Sequence, residues 1–125
     1  MSNILEVNEK IKSFNKIIKV SGDKSLSIRW VLFASIANGV SKSRNLLKSE
    51  DVLTAINIIK KLGIKVIQKK NICLIYGKGL SGYRTNKEIT LNSGNSGTVG
   101  RLILGLLIDA KKRIKLIGDE SLSRR

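Results

Sequence analysis

Two short segments of this chain combine glycines, hydroxyls and cations at a spacing suited to holding an anion. The first is Ser21-Gly22-Asp23-Lys24-Ser25-Leu26-Ser27-Ile28-Arg29; the second is Asn92-Ser93-Gly94-Asn95-Ser96-Gly97-Thr98, followed closely by Arg101. Each stands directly before an apolar run that predicts a helix, and the first turn of a helix offers unpaired N–H groups and the positive end of its dipole. Lys24, Ser25 and Arg29 fall within about a turn and a half of helix. An ammonium, a hydroxyl and a guanidinium so grouped suit a phosphate or a carboxylate. In the second segment Gly94 and Gly97 allow close backbone approach, and Asn95, Thr98 and Arg101 surround the helix start. An ordinary capped helix with solvated basic residues, or a flexible loop, accounts for the same residues without a ligand. The pair Arg124-Arg125 likewise fits a further anion contact or plain solvation. Neither segment is a G-x-x-x-x-G-K-[ST] loop, because Asp23 separates Gly22 from Lys24, and neither is G-x-G-x-x-G after a strand.

Composition narrows the chemistry further. With no histidine, one cysteine and nine carboxylates in 125 residues, zinc enzymes and histidine-based triads are excluded within this chain, and no metal site is expected. Cys73 sits in the apolar run Ile72-Cys73-Leu74-Ile75 and reads as a buried structural thiol. A balance of 24 Lys and Arg against 9 Asp and Glu gives a net charge of +15. That charge favours an anionic partner. A chain rich in Ile, Lys and Asn and free of proline also fits an AT-rich coding bias, which would produce the same charge without a function. No apolar stretch approaches the roughly eighteen residues of a membrane span, and Met1 to Glu6 lacks the order of a signal peptide, so a cytoplasmic location is expected. A small basic nucleic-acid-binding domain is the non-enzymatic alternative. Aromatics at 4%, lysines spread along the chain and the lack of an RNP-like pattern argue against it, and neither a nucleic acid nor a membrane is expected as partner.

The elements that must position these residues follow from period and punctuation. Lys16 to Val20 predicts a strand, closed by the turn Ser21 to Asp23. Ser25 to Asn38 predicts a helix with Leu26, Trp30, Phe33, Ala34 and Ala37 on its apolar face and Gly39 as its C-terminal cap. Val40 to Leu47 predicts a second strand. Ser49-Glu50-Asp51 then opens a helix with a capping hydroxyl and two first-turn acids; Val52, Ala55, Ile56, Ile59 and Leu62 share one face, and Gly63 ends it. Ile64 to Gln68 and Ile72 to Tyr76 predict a hairpin, and Gly77 to Lys87 a loop. After it the order restarts, with a strand at Glu88 to Leu91, the glycine turn, a helix continuing through Leu102 to Ile108, and a strand at Arg113 to Ile117. The organisation expected is an N-terminal segment 1–15, one complete β-α-β-α-β-β unit over 16–87, and the first half of a second over 88–125. A unit that stops halfway leads us to expect that these residues are part of a longer working protein. A folded but inactive fragment is the other reading of that feature.

Three segments in this order resemble the N-terminal part of the 3-phosphoshikimate 1-carboxyvinyltransferase (EPSP synthase) family: Ser21 to Arg29, Asn95-Ser96-Gly97-Thr98-Val99-Gly100-Arg101, and Gly118-Asp119-Glu120-Ser121-Leu122-Ser123-Arg124-Arg125. Asn45-Leu46-Leu47 and Ser49-Glu50-Asp51 are similar as well, and the resemblance runs from about Lys16 onward. It implies an α/β (α+β) fold of two similar domains, each of three β-α-β-α-β-β units, closing on the substrates. It implies transfer of the enolpyruvyl group of phosphoenolpyruvate to the 5-hydroxyl of shikimate 3-phosphate, with release of phosphate, in aromatic amino-acid biosynthesis, and no cofactor. By position, Lys24 would contact both substrates and act in catalysis, Ser25 and Arg29 would hold shikimate 3-phosphate, Gly97 and Arg125 would bind phosphoenolpyruvate, and Asn95, Thr98 and Arg101 would shape the pocket. The acidic general base, a further lysine and additional arginines would come from a C-terminal portion or a second chain, so no turnover is expected from this chain alone. The resemblance also implies that a small residue at Gly97 leaves room for the herbicide glyphosate, which competes with phosphoenolpyruvate. Gly100 departs from the family pattern, where a side chain is usual, at a cost of about 1 kcal/mol of helix stability relative to Ala.

Overall fold

The computed structural model describes residues 4, 6, 8, 10, 13, 15 and 17–125. Helix α1 (Lys24–Ile36) starts where Asp23, in extended backbone, accepts a 2.7 Å hydrogen bond from Leu26 N–H. This is the ordinary N-cap geometry, and it makes Lys24 the first helical residue. The face α1 buries is only partly the predicted one: of the predicted residues Ala34 is buried and Trp30 packs against the core. Ser27, Ile28, Val31, Leu32, Ala34 and Ser35 face the core, while Leu26 is 69% and Phe33 61% exposed. The helix is apolar nearly all round, so the spacing of its apolar residues fits either face and packing alone chooses between them. Gly39 is not its cap either. The helix ends on Ala37 in extended backbone, and Gly39, with φ +91°, lies inside the next strand opposite Gly77.

That strand, β1 (Asn38–Arg44), starts and stops earlier than expected, because Asn45 turns the chain with φ +57°. Helix α2 (Glu50–Lys61) follows the sequence expectation closely. Ser49 is its N-cap residue, but its hydroxyl makes no capping hydrogen bond among the described residues, so the expected side-chain cap is not formed; Glu50 and Asp51 lie in its first turn and Lys60 and Lys61 in its last, each charge complementing the helix dipole. Val52, Ala55, Ile56, Ile58 and Ile59 are buried, and Gly63 ends the turn with φ +86°. The hairpin of β2 (Lys65–Lys69) and β3 (Ile72–Lys78) then completes an antiparallel sheet in the order β1-β3-β2. Cys73 and Ile75 are buried from β3 in the core, where the strand packs against α1. The Cys73 thiol is buried, as expected, and burial pushes it above its ordinary range against the opposing pull of Lys60.

Of the strand predicted at 16–20, the described residues Ile17 to Val20 form none. Lys16 lies outside the described residues, and Ile17 to Val20 belong to no sheet, with Ile17 96% exposed. β-branched residues favour a pleated surface, but a strand exists only by pairing, and no neighbouring edge among the described residues takes this run.

Beyond the loop, β4 (Ile89–Asn92) and β5 (Ile114–Ile117) pair in parallel across the crossover helix α3 (Gly97–Leu106), which stops two residues short of its predicted end. A single turn, α4 (Glu120–Ser123), follows, capped by Asp119. Leu91, Val99 and Ile103 from this part join Ile28, Val31, Ile56 and Ile59 in one continuous core. The fold is α/β, with the three longer helices gathered on the inner face of the antiparallel sheet and around the parallel pair.

Candidate functional site

The first glycine turn is fixed from outside by Asn45 to Leu47. A methyl group at Gly22 would lie 2.7 Å from the Asn45 carbonyl oxygen and 2.9 Å from Leu47 N, so the chain passes here backbone against backbone. The Leu47 N–H donates to Ser27 Oγ at 3.3 Å, and Asn45 Nδ2 donates to the Val20 carbonyl at 3.5 Å. These contacts hold the start of α1, where Lys24 and Arg29 are exposed and Ser25 is half-buried. The Arg29 guanidinium donates to the Ser25 carbonyl at 3.2 Å, placing both on one side of the helix one turn apart. Lys24 reaches instead to α2, its Nζ 3.3 Å from Asp51 Oδ2.

The second turn is built by its own polar groups. Gly94 N–H donates to Asn92 Oδ1 at 2.8 Å, Gly94 takes φ +55°, and Ser96 caps α3 by accepting from Val99 N–H. The far strand closes on it from behind, with Asp119 N–H donating to the Gly94 carbonyl at 2.9 Å and Ser93 N–H to that of Ile117 at 2.8 Å. Asp119 caps the short helix that carries Arg125 back toward the turn. There Arg125 Nη2 donates to Asn95 Oδ1 at 3.0 Å and to Ser121 Oγ at 3.1 Å. A methyl group at Gly97 would stand 3.6 Å from Arg101 Nη2 and 3.7 Å from Arg125 Nη1, so two guanidiniums flank the first residue of α3. Thr98 occupies the same first turn, half-buried.

Both turns abut the beginning of α2. Asp51 meets Lys24, and one helical turn later Thr54 Oγ1 stands 3.6 Å from where a methyl group at Gly94 would be. The eight residues singled out from sequence thus fall into two groups on a shared support, Lys24, Ser25 and Arg29 on one side and Asn95, Gly97, Thr98, Arg101 and Arg125 on the other. Four cations and two longer-helix N-termini offer a docking point for each of two anionic groups. The surface is open. A groove of about 550 Å³ lies next to the first turn, lined by Ser21, Gly22, Asn45, Gln68 and Cys73 among others, and none of the eight lines it. No group of three or more His, Cys, Asp or Glu side chains gathers as metal ligands among the described residues. No helix among them is long and apolar enough to cross a membrane.

Sequence reasoning missed Asp51 as a partner of Lys24, since its first-turn position in α2 already explained it. It also missed Ser121 as a support for Arg125. Asp119 followed by Glu120 is the signal of a capped turn that would place Ser121 and Arg125 on one face.

The chain is similar to known proteins in both sequence and backbone. A family model of EPSP synthase (3-phosphoshikimate 1-carboxyvinyltransferase) matches residues 8–125. The 3-phosphoshikimate 1-carboxyvinyltransferase of Bacillus cytotoxicus is 46% identical over 114 residues, covering 91% of this chain and 27% of the relative. That of a Sulfurihydrogenibium species is 38% identical over 117 residues, covering 94% and 27%. The solved structure of EPSP synthase from Acinetobacter baumannii superposes with a TM-score of 0.79 at 35% identity, over 86% of this chain and 24% of that one. The chain therefore spans about a quarter of the length of the curated relatives it matches. Sequence and backbone agree over nearly all of its own length, and the chain belongs to the EPSP synthase family.

Proposed function

We propose that the complete protein transfers the enolpyruvyl group of phosphoenolpyruvate to the 5-hydroxyl of shikimate 3-phosphate. A bond forms between that oxygen and C2 of the enolpyruvyl unit, the bond from C2 to the phosphate oxygen breaks, and inorganic phosphate leaves. The observation that carries this reading is the meeting of both glycine turns on the first turns of α2, with Lys24 between α1 and Asp51 and the Arg101 and Arg125 guanidiniums beside Gly97. Both substrates are phosphorylated anions, and each turn supplies a helix N-terminus with cations beside it. In this assignment Ser25 and Arg29 bind shikimate 3-phosphate, Gly97 and Arg125 bind phosphoenolpyruvate, Lys24 contacts both and serves catalysis, and Asn95, Thr98 and Arg101 shape the pocket. Asn95 does so by holding Arg125. The division into 1–15, 16–87 and 88–125 belongs to the same reading, as do a cytoplasmic location and completion of the site by a C-terminal portion or second chain.

The open surface is then one wall of a cleft, which predicts binding without turnover. Two-dimensional amide NMR of the chain with shikimate 3-phosphate, against inorganic phosphate at matched ionic strength, tests this. Shifts centred on Lys24 to Arg29 with the shikimate compound alone are expected; identical responses to both anions would overturn the assignment. No phosphate release from phosphoenolpyruvate is expected from the chain alone.

A further inference from the structure

Glu50 and Asp51 are interchangeable as first-turn acids of α2, and the structure separates them. Asp51 Oδ2 lies 3.3 Å from Lys24 Nζ, and its side chain is only 24% exposed, whereas Glu50 is exposed and forms no ion pair among the described residues. Thr54, one turn further along the same face, lies beside Gly94 of the second turn, its Oγ1 3.6 Å from where a methyl group there would be. Asp51 therefore stands beside both turns, and among the described residues it is the one acid whose side chain pairs with a candidate substrate-binding cation.

We propose that Asp51 is a positioning residue that holds the Lys24 ammonium between the two anion sites, an inference that rests on the enolpyruvyl-transfer reading. An ammonium has three donors. One given to Asp51 leaves two for ligands, one toward each turn. A free lysine side chain loses much of its rotamer freedom when it clamps a ligand, and Asp51 removes part of that freedom beforehand. The carboxylate also offsets the charge of the site, so a bare anion gains little from it. Its benefit is reserved for a ligand that needs the ammonium in one place.

The test has two readouts on this chain. Without ligand, ¹³C relaxation of the Lys24 Cε group is expected to show restricted motion compared with the exposed Lys42. The restriction is lost in Asp51→Asn, kept in Asp51→Glu, and unaffected by Glu50→Gln, which removes an acid of the same helix turn. With ligand, Asp51→Asn is expected to weaken shikimate 3-phosphate binding about 3- to 10-fold while leaving inorganic phosphate binding unchanged or tightened. Lys24 as mobile as Lys42 in the unaltered chain, or equal effects of Asp51→Asn and Glu50→Gln, would overturn the proposal, as would tightening of both ligands by Asp51→Asn. Lys24 ordering that follows Asp51 in a chain that takes up no shikimate 3-phosphate would support the holding contact and sink the enolpyruvyl-transfer reading instead.

Discussion

At Gly22 a methyl group would lie 2.7 Å from one backbone atom and 2.9 Å from another, whereas at Gly97 the same methyl would meet nothing nearer than the Arg101 guanidinium at 3.6 Å. Two segments of similar composition, each preceding a helix, therefore use glycine differently. In the first turn the absent side chain lets Asn45 to Leu47 press against the backbone and fix where α1 begins. In the second a methyl at Gly97 would find no backbone near it and only ordinary contacts, with the two exposed guanidiniums of Arg101 and Arg125 and with the end of Leu122. Glycine in the first turn serves packing, and glycine in the second is not required by it.

Gly22→Ala is the substitution that tests the first half of this contrast, with the largest effect expected. Neither Asn45 O nor Leu47 N is the mobile end of a side chain, so the backbone must shift, a kind of overpacking that costs about 2–3 kcal/mol. Urea unfolding of the chain measures it; a loss below about 0.5 kcal/mol would show that the clamp is soft and that the turn tolerates a side chain as ordinary surface does. Gly100→Ala comes next, with the opposite sign. Its methyl would meet Ser93 Oγ at 3.4 Å and Leu116 Cδ2 at 3.9 Å, ordinary contacts, and the Ser93 hydroxyl is buried without a partner. Removing a glycine from the helix then gains about 1 kcal/mol, or about 4 °C in Tm by thermal unfolding. A destabilised variant would mean that the second turn is packed as tightly as the first.

The difference between the turns was only partly legible in the sequence. Helix α2 was readable in extent and in its buried face, though not in the cap expected from the Ser49 hydroxyl, because one face is apolar and the other polar, with acids at one end and lysines at the other. Helix α1 was readable in extent and unreadable in orientation, since Leu26 and Phe33 on its exposed side are as apolar as Val31 and Leu32 on its buried one. A strand at 16–20 was suggested by residue type, and residue type says nothing of a partner edge. The eight candidate residues were found through glycine, hydroxyl and cation spacing together with the family resemblance, both of which act along the chain. Asp51 and Ser121 escaped because their contacts with Lys24 and Arg125 depend on how separate elements pack or where a short turn folds back. The distinction between Gly22 and Gly97 escaped for the same reason: a glycine is identical in sequence whether its missing side chain faces a backbone or an opening.

Gly97→Ala carries the smallest expected change in stability and is the sharpest test of what the second opening is for. Its methyl makes three ordinary contacts, with Arg101 Nη2 at 3.6 Å and with Arg125 Nη1 and Leu122 Cδ1 at 3.7 Å, all the ends of side chains, so unfolding free energy should change by less than about 0.5 kcal/mol. In the complete protein, however, that methyl stands where the Arg101 and Arg125 guanidiniums face the start of α3, the place assigned to phosphoenolpyruvate and, by the family resemblance, to glyphosate. Steady-state kinetics should then show a raised KM for phosphoenolpyruvate with that for shikimate 3-phosphate nearly unchanged, and weaker inhibition by glyphosate. A stability loss above 1 kcal/mol would place Gly97 with Gly22 as a packing glycine, in the range set by overpacking. Unchanged stability with unchanged phosphoenolpyruvate kinetics would leave the opening without a ligand. Only a methyl that the fold accepts and the substrate refuses would show that the second turn is kept bare for binding.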